Sequence, residues 1–220
     1  MNKSLYFHLV FVLSGLVLAT NVHADVYTIA LDISSSTPIV QPNFMQNALP
    51  KVREDIAKLP IGSRVKIFTV GDDNANAFTQ DLRIQRSQTP SGDTAPMVAK
   101  KVEAAITAFL NDLRANPSKM QGESSLSAAF LDASKWCVKG SPCTIQFWTD
   151  GMEYQPGILA WPKDYQKPLP PIPLLNLDGT SVIMYGVGVG VPTFVRTKAE
   201  EQWQKWLKAH QAGNVDLRRL

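Results

Sequence analysis

The chain has 220 residues, with 22 Lys and Arg against 19 Asp and Glu, a formal net charge of +3, two cysteines and three histidines. Its charges are scattered and no basic stripe is interleaved with aromatics, which argues against a nucleic-acid partner. The length suits one domain with a full core. The first residues read as an address. Lys3 precedes an apolar stretch from Leu5 to Leu18, broken by His8 and Ser14, and Val22 and Ala24 stand where a signal peptidase cuts. A signal peptide over residues 1–24 is expected, hence a periplasmic or secreted protein, with an uncleaved membrane anchor as the alternative. Residues 25–220 then form a single domain.

Val26 to Leu31 is an apolar, β-branched run that reads as a buried strand. Phe44, Met45, Ala48, Leu49, Val52, Ile56 and Leu59 recur at helical spacing, with Pro50 inside the pattern as a kink or a start. Arg64 to Val70 alternates as a strand, Gly71 to Asn74 is a turn, and the polar Ala77 to Ile84 is a weak edge strand. A loop from Ser87 to Pro96 leads into a long helix carrying Val98, Val102, Ile106 and Leu113, ended by Asn116-Pro117. Leu126 to Cys137 is a further helix, and Thr144 to Thr149 a short strand running into Asp150-Gly151. Residues 152–178 hold a Pro-rich insertion, where extended polyproline geometry is expected from Pro168. Ser181 to Val187 is a strand. Thr197 to Glu200 has the pattern of a capping box opening a helix with Trp203, Trp206 and His210, and Asn214 to Leu217 is a last short strand. Strands alternating with helices define an α/β fold, a doubly wound, mainly parallel sheet with helices on both faces and one weak antiparallel edge strand.

Two cysteines, Cys137 and Cys143, lie close together, and in an oxidising compartment they are expected to form a disulfide. Cleavage of the leader removes His8 and His23. Only His210 remains, which excludes a His-rich zinc site and leaves a Ser-His-Asp site dependent on that one residue. Gly186-Val-Gly-Val-Gly190 lacks the spacing of a dinucleotide fingerprint, so no nucleotide is expected.

The strand at Val26 ends in Asp32-Ile-Ser34-Ser-Ser36. A carboxylate and alternating hydroxyls suit a hard cation such as Mg²⁺, Mn²⁺ or Ca²⁺, although Asp and Ser also serve as plain helix caps. In a doubly wound sheet the carboxyl ends of the strands gather ligands, and both Asp32 and Asp150 fall there. Asp32-x-Ser34-x-Ser36, the segment Gly122 to Phe130, and Thr149-Asp150-Gly151 together resemble the three metal-site loops of a von Willebrand factor A domain, in order and spacing, over nearly all of residues 26–217. The resemblance implies a metal-ion-dependent adhesion site. Ser34 and Ser36 would bind the ion directly and Ser124 in metal-bound states. Asp32 and Asp150 would act largely through water. The cofactor implied is a divalent cation, Mg²⁺ first and Mn²⁺ or Ca²⁺ next, and the partner another protein presenting an acidic side chain. The chain departs from the family in having Ser124 where Thr is usual, with Ser125 beside it as an alternative ligand. Glu123 and Glu153 could approach the ion or be solvated loop charges. The function expected is an exported, non-enzymatic binding module, in a conjugation, secretion or pilus apparatus. The alternatives are a metal-assisted hydrolase using Asp32 and Asp150 with Glu153 as base, and a structural protein whose metal site has decayed.

Overall fold

In the computed structural model, residues 24–71, 78–87, 92–122 and 124–219 are described. The expected signal peptide (apart from Ala24), Glu123, the turn residues Asp72 to Asn74 and Ala77 lie outside them.

The apolar run at Val26 forms β1 (Val26–Asp32), buried along its whole length. Such a strand must be covered on both faces, and it stands near the middle of a six-stranded sheet. The others are β2 (Arg64–Val70), β3 (Thr79–Arg83), β4 (Cys143–Trp148), β7 (Thr180–Tyr185) and β8 (Asn214–Arg218), in the order β3-β2-β1-β4-β7-β8. All pairings are parallel except β2 with β3, so the polar strand is the antiparallel edge, as expected. β1 pairs with β2 on one side and with β4 on the other, in register at Leu31 opposite Trp148. The strand order reverses there, and a doubly wound sheet opens its crevice at such a point.

Helices α1 (Pro42–Ala57) and α2 (Ala95–Ala115) cover one face, burying Phe44, Val52, Ile56, Val102 and Ile106 against Ile29, Leu31 and Ile67. α1 is continuous across Pro50, which lies inside it. Its missing N–H frees the carbonyl of Gln46, and both residues are exposed, where water can serve that carbonyl. α2 begins at Ala95, before the expected loop ends, because Pro96 fits the first helical turn.

α3 (Leu126–Ser134) and α4 (Thr193–Ala209) cover the other face, where Phe130, Trp203 and Trp206 lie on Phe147 and Met184. α3 stops before Cys137, which instead bonds to Cys143 at the foot of β4, Cα to Cα 5.6 Å. α4 opens at Thr193 behind Pro192, not at the Thr197 capping box, and its first turn buries Val195. The turn that Pro192 enforces overrides the local pattern.

The insertion contains one unforeseen element, a small hairpin of β5 (Tyr154–Gln155) and β6 (Leu159–Ala160). From Pro168 it has no helix, as expected, and lies as a strap along α4. Gln202 Nε2 donates to the Lys167 carbonyl at 3.0 Å, Trp206 Nε1 to the Pro170 carbonyl at 2.7 Å, and Ile172 N to His210 Nε2 at 3.1 Å. Two steps of extended chain, as from Pro170 to Ile172, advance about 6 Å, as do the four steps from Trp206 to His210 at the end of α4. The two anchors therefore stay in step. Because Ile172 supplies a proton to Nε2, His210 carries its own on Nδ1 and donates it to the Trp206 carbonyl at 2.8 Å. Leu169, Leu175 and Leu177 of the strap are buried in the core of that face.

Candidate metal centre

The crevice between β1 and β4 is built by three loops. The first is fixed by its own side chains. Asp32 Oδ1 accepts the Ser34 N–H at 2.9 Å, and Ser34 Oγ lies 3.4 Å from Ser36 Oγ. The second loop is joined to it by a short parallel bridge between Ser34 and Gln121, in which Gln121 N donates to the Ile33 carbonyl at 2.9 Å and Ser35 N to that of Gln121 at 2.7 Å. This bridge carries Ser124 to the end of β1. The third loop leaves β4. Thr149 Oγ1 donates to Asp32 Oδ2 at 2.7 Å and accepts the Gly151 N–H at 2.9 Å. Asp150 Oδ1 accepts the Met152 N–H at 2.9 Å.

The exit of β7 closes the crevice from the side. Gly186 has φ +93°, and a Cβ there would come within 2.9 Å of Pro38, Phe44 and the Thr149 carbonyl. Only glycine allows that approach. Gly188 N then donates to the Asp150 carbonyl at 2.7 Å, which holds the third loop against the sheet.

Asp32, Ser34, Ser124 and Asp150 are all buried, and Ser36 is exposed. Burial pushes the Asp32 carboxyl above its ordinary range, opposed by Thr149 and Ser34. Asp150 is pushed up to about 7, first by burial and then by the charge of Asp32 beside it, with Ser36 easing the shift. Two buried carboxyls therefore share one crevice, and the charge of Asp32 makes Asp150 harder to ionise. Ser124 stands close enough to help carry the Asp32 charge, yet among the described residues its buried Oγ makes no hydrogen bond of good geometry. Thr28 Oγ1, inside the sheet, is the other described hydroxyl buried in this way, and of the two it is Ser124 that stands by Asp32. Among the described residues no three His, Cys, Asp or Glu side chains gather, so an ion here would depend on hydroxyls. Two carboxyls and the hydroxyls of Ser34, Ser36 and Ser124 form a hard oxygen set that fits Mg²⁺, Mn²⁺ or Ca²⁺.

The structure separates the neighbouring serines. Ser124 faces Asp32, while the Ser125 hydroxyl reaches Glu153 Oε1 at 3.4 Å. Glu153 is not a solvated loop charge. It is fully buried, and its oxygens accept the Ser127 N–H at 3.0 Å and the Ser127 hydroxyl at 2.6 Å. Thr149 has a role that its sequence position does not reveal. Its place before Asp150 was visible, but the bond to Asp32 joins positions 117 residues apart.

The fold and the crevice define a doubly wound α/β domain with a buried acid pair at its switch point. Compared with known proteins, the chain matches no family model and has no significant similarity to a curated protein. No helix among the described residues is long and apolar enough to cross a membrane. The disulfide is compatible with a periplasmic or extracellular location.

Proposed function

We propose that this is an exported von Willebrand factor A-like module that binds a partner protein through a divalent ion held by Asp32, Ser34, Ser36, Ser124 and Asp150. The observation that carries the reading is the buried Ser124 hydroxyl, without a hydrogen bond of good geometry among the described residues and close to Asp32, whose charge in turn raises the Asp150 carboxyl. A cation answers both defects at once. When bound, it would offer an electrophilic position to an acidic side chain of the partner. Ser36 is the exposed member of the set and marks the side from which a partner would approach. A bacterial envelope apparatus is the setting proposed. The hydrolase alternative needs a free base, and the oxygens of Glu153, its candidate, are engaged by Ser125, Ser127 and Gln155.

A thermal melt with Mg²⁺, Mn²⁺ or Ca²⁺ against chelator tests the ion. At one hundred times Kd, binding adds about 2.7 kcal/mol, a rise of about 5–10 °C for a domain of this size. The reading fails if wild type does not shift, or if Asp32→Ala shifts equally. A metal-dependent pull-down from envelope extract, wild type against Ser34→Ala, then tests the partner.

A further inference from the structure

Three residues after Asp150 the chain buries another carboxylate that the proposed ion site does not use. Glu153 lies at the start of α3, where Ser125 occupies the cap position but makes no side-chain cap hydrogen bond. The free N–H groups of that first turn are served from outside. Glu153 Oε2 accepts the Ser127 N–H at 3.0 Å, and Oε1 accepts the hydroxyls of Ser127 at 2.6 Å and Ser125 at 3.4 Å. Gln155 Nε2 braces the group, donating to Ser127 Oγ at 2.7 Å and to Glu153 Oε1 at 3.1 Å. The backbone joins in, since Tyr154 N donates to the Ser124 carbonyl at 3.1 Å.

Ser124 is thus held from two directions. Upstream, Gln121 is joined to Ile33 and Ser35. Downstream, residues 153–155 grip Ser124, Ser125 and Ser127. Among the described residues its own hydroxyl makes no hydrogen bond of good geometry, so the backbone grip decides how it stands against Asp32. A neutral cap would finish the helix without the desolvation cost of a buried carboxylate. The arrangement here does more than end a helix, because it fastens the third loop to the second.

We infer that, given the ion reading above, Glu153 is a positioning residue: through Ser125 and Ser127 it fixes the Ser124 hydroxyl in the ion crevice. Its oxygens are taken by donors, and it acts on ion affinity through the loop.

The test is Mn²⁺ affinity of the full chain, read by the free-ion EPR signal well below the melting temperature. The variants are Glu153→Gln, Ser127→Ala and, as a control for lost stability alone, Cys137→Ser with Cys143→Ser at the opposite end of the sheet. Glu153→Gln sets an amide NH₂ against donors and is expected to weaken Mn²⁺ by about tenfold or more. Ser127→Ala keeps the carboxylate and weakens it less. The cysteine variant melts earlier and binds as wild type. Wild-type affinity in folded Glu153→Gln and Ser127→Ala overturns the inference and leaves the ion site standing. Loss of affinity in the cysteine variant equal to that in Glu153→Gln also overturns it, since affinity would then follow global stability. If Glu153→Gln does not fold, Ser127→Ala decides alone. No binding by wild type overturns the ion reading, and the inference with it.

Discussion

Glu153 and Asp150 are three residues apart, both buried and both acidic, yet their surroundings differ in kind. Glu153 sits in a pocket of donors: the Ser127 N–H, the hydroxyls of Ser125 and Ser127, and the Gln155 amide. Asp150 has the Met152 N–H and help from Ser36, and otherwise faces Asp32. A buried charge is tolerable when fixed donors answer it. Glu153 comes nearer to that condition within the chain, although burial still raises its carboxyl against those donors. The pair at the crevice meets it in part, and such a pair is completed by a proton or by a cation.

The largest effect expected comes from treating the two alike. Glu153→Ala leaves the Ser127 N–H and hydroxyl without their acceptor inside the protein, and should cost about 3 kcal/mol by urea unfolding. Asp150→Asn at pH 8 without metal should act in the opposite direction, adding about 2 kcal/mol, because it removes the repulsion with Asp32 and keeps an acceptor for Met152 N. If both variants lose stability, the two acids do not differ in the way described. The stabilised Asp150→Asn should also lose its metal-induced rise in melting temperature.

The same contrast predicts a pH dependence. Asp150 has an ordinary value of 3.8 and is pushed up to about 7 in the fold. Between those values the folded chain binds more protons than the unfolded one, so metal-free stability falls as pH rises from about 4 to 7. Asp32 and Glu153 are shifted in the same direction by burial. Summed, the decline is on the order of a few kcal/mol. With saturating Mg²⁺ it should flatten or reverse, because the cation replaces the proton and binds better as the carboxyls ionise. Urea titrations at pH 5 and pH 8, with and without Mg²⁺, read this directly.

The disulfide gives a smaller effect at the other end of the sheet. It closes a short loop, sequence separation 6, which corresponds to about 2 kcal/mol in the chain-entropy account. Reduction should lower the melting temperature of the metal-free and metal-bound forms by the same amount, because the bond is remote from the crevice.

Half of this contrast was legible in the sequence. Apolar runs ending in Asp32 and Asp150 mark buried strands whose carboxyl ends meet at one rim, and an alternating polar run marks the edge at β3. Periodicity reports burial, and burial places strands. It does not report which donor meets which carboxylate. Glu153 looked like a loop charge because its partners lie 26 and 28 residues away, and the two-residue strands that carry the chain back from them are too short to show a period. The start of α4 departs from its local pattern for a related reason. Thr197 to Glu200 satisfied a local cap pattern, but Pro192 and the burial of Val195 set the boundary.

The smallest change in metal-free stability is expected from the residue on which the functional reading rests. Ser124→Ala removes a buried hydroxyl that makes no hydrogen bond of good geometry among the described residues, so the metal-free protein should hold its stability or gain up to about 1 kcal/mol. A hydroxyl kept for the fold would show the reverse, a loss on removal. The same variant should lose most of the melting-temperature rise that Mg²⁺ or Mn²⁺ gives wild type, since it takes one oxygen from a set that has few charges. A folded Ser124→Ala that is weaker without metal and responds fully to it would place Ser124 with Glu153, among the groups that hold the loops together. A variant that is as stable as wild type and indifferent to metal would place it with Asp32 and Asp150, on the side of the comparison where the protein alone leaves the chemistry unfinished.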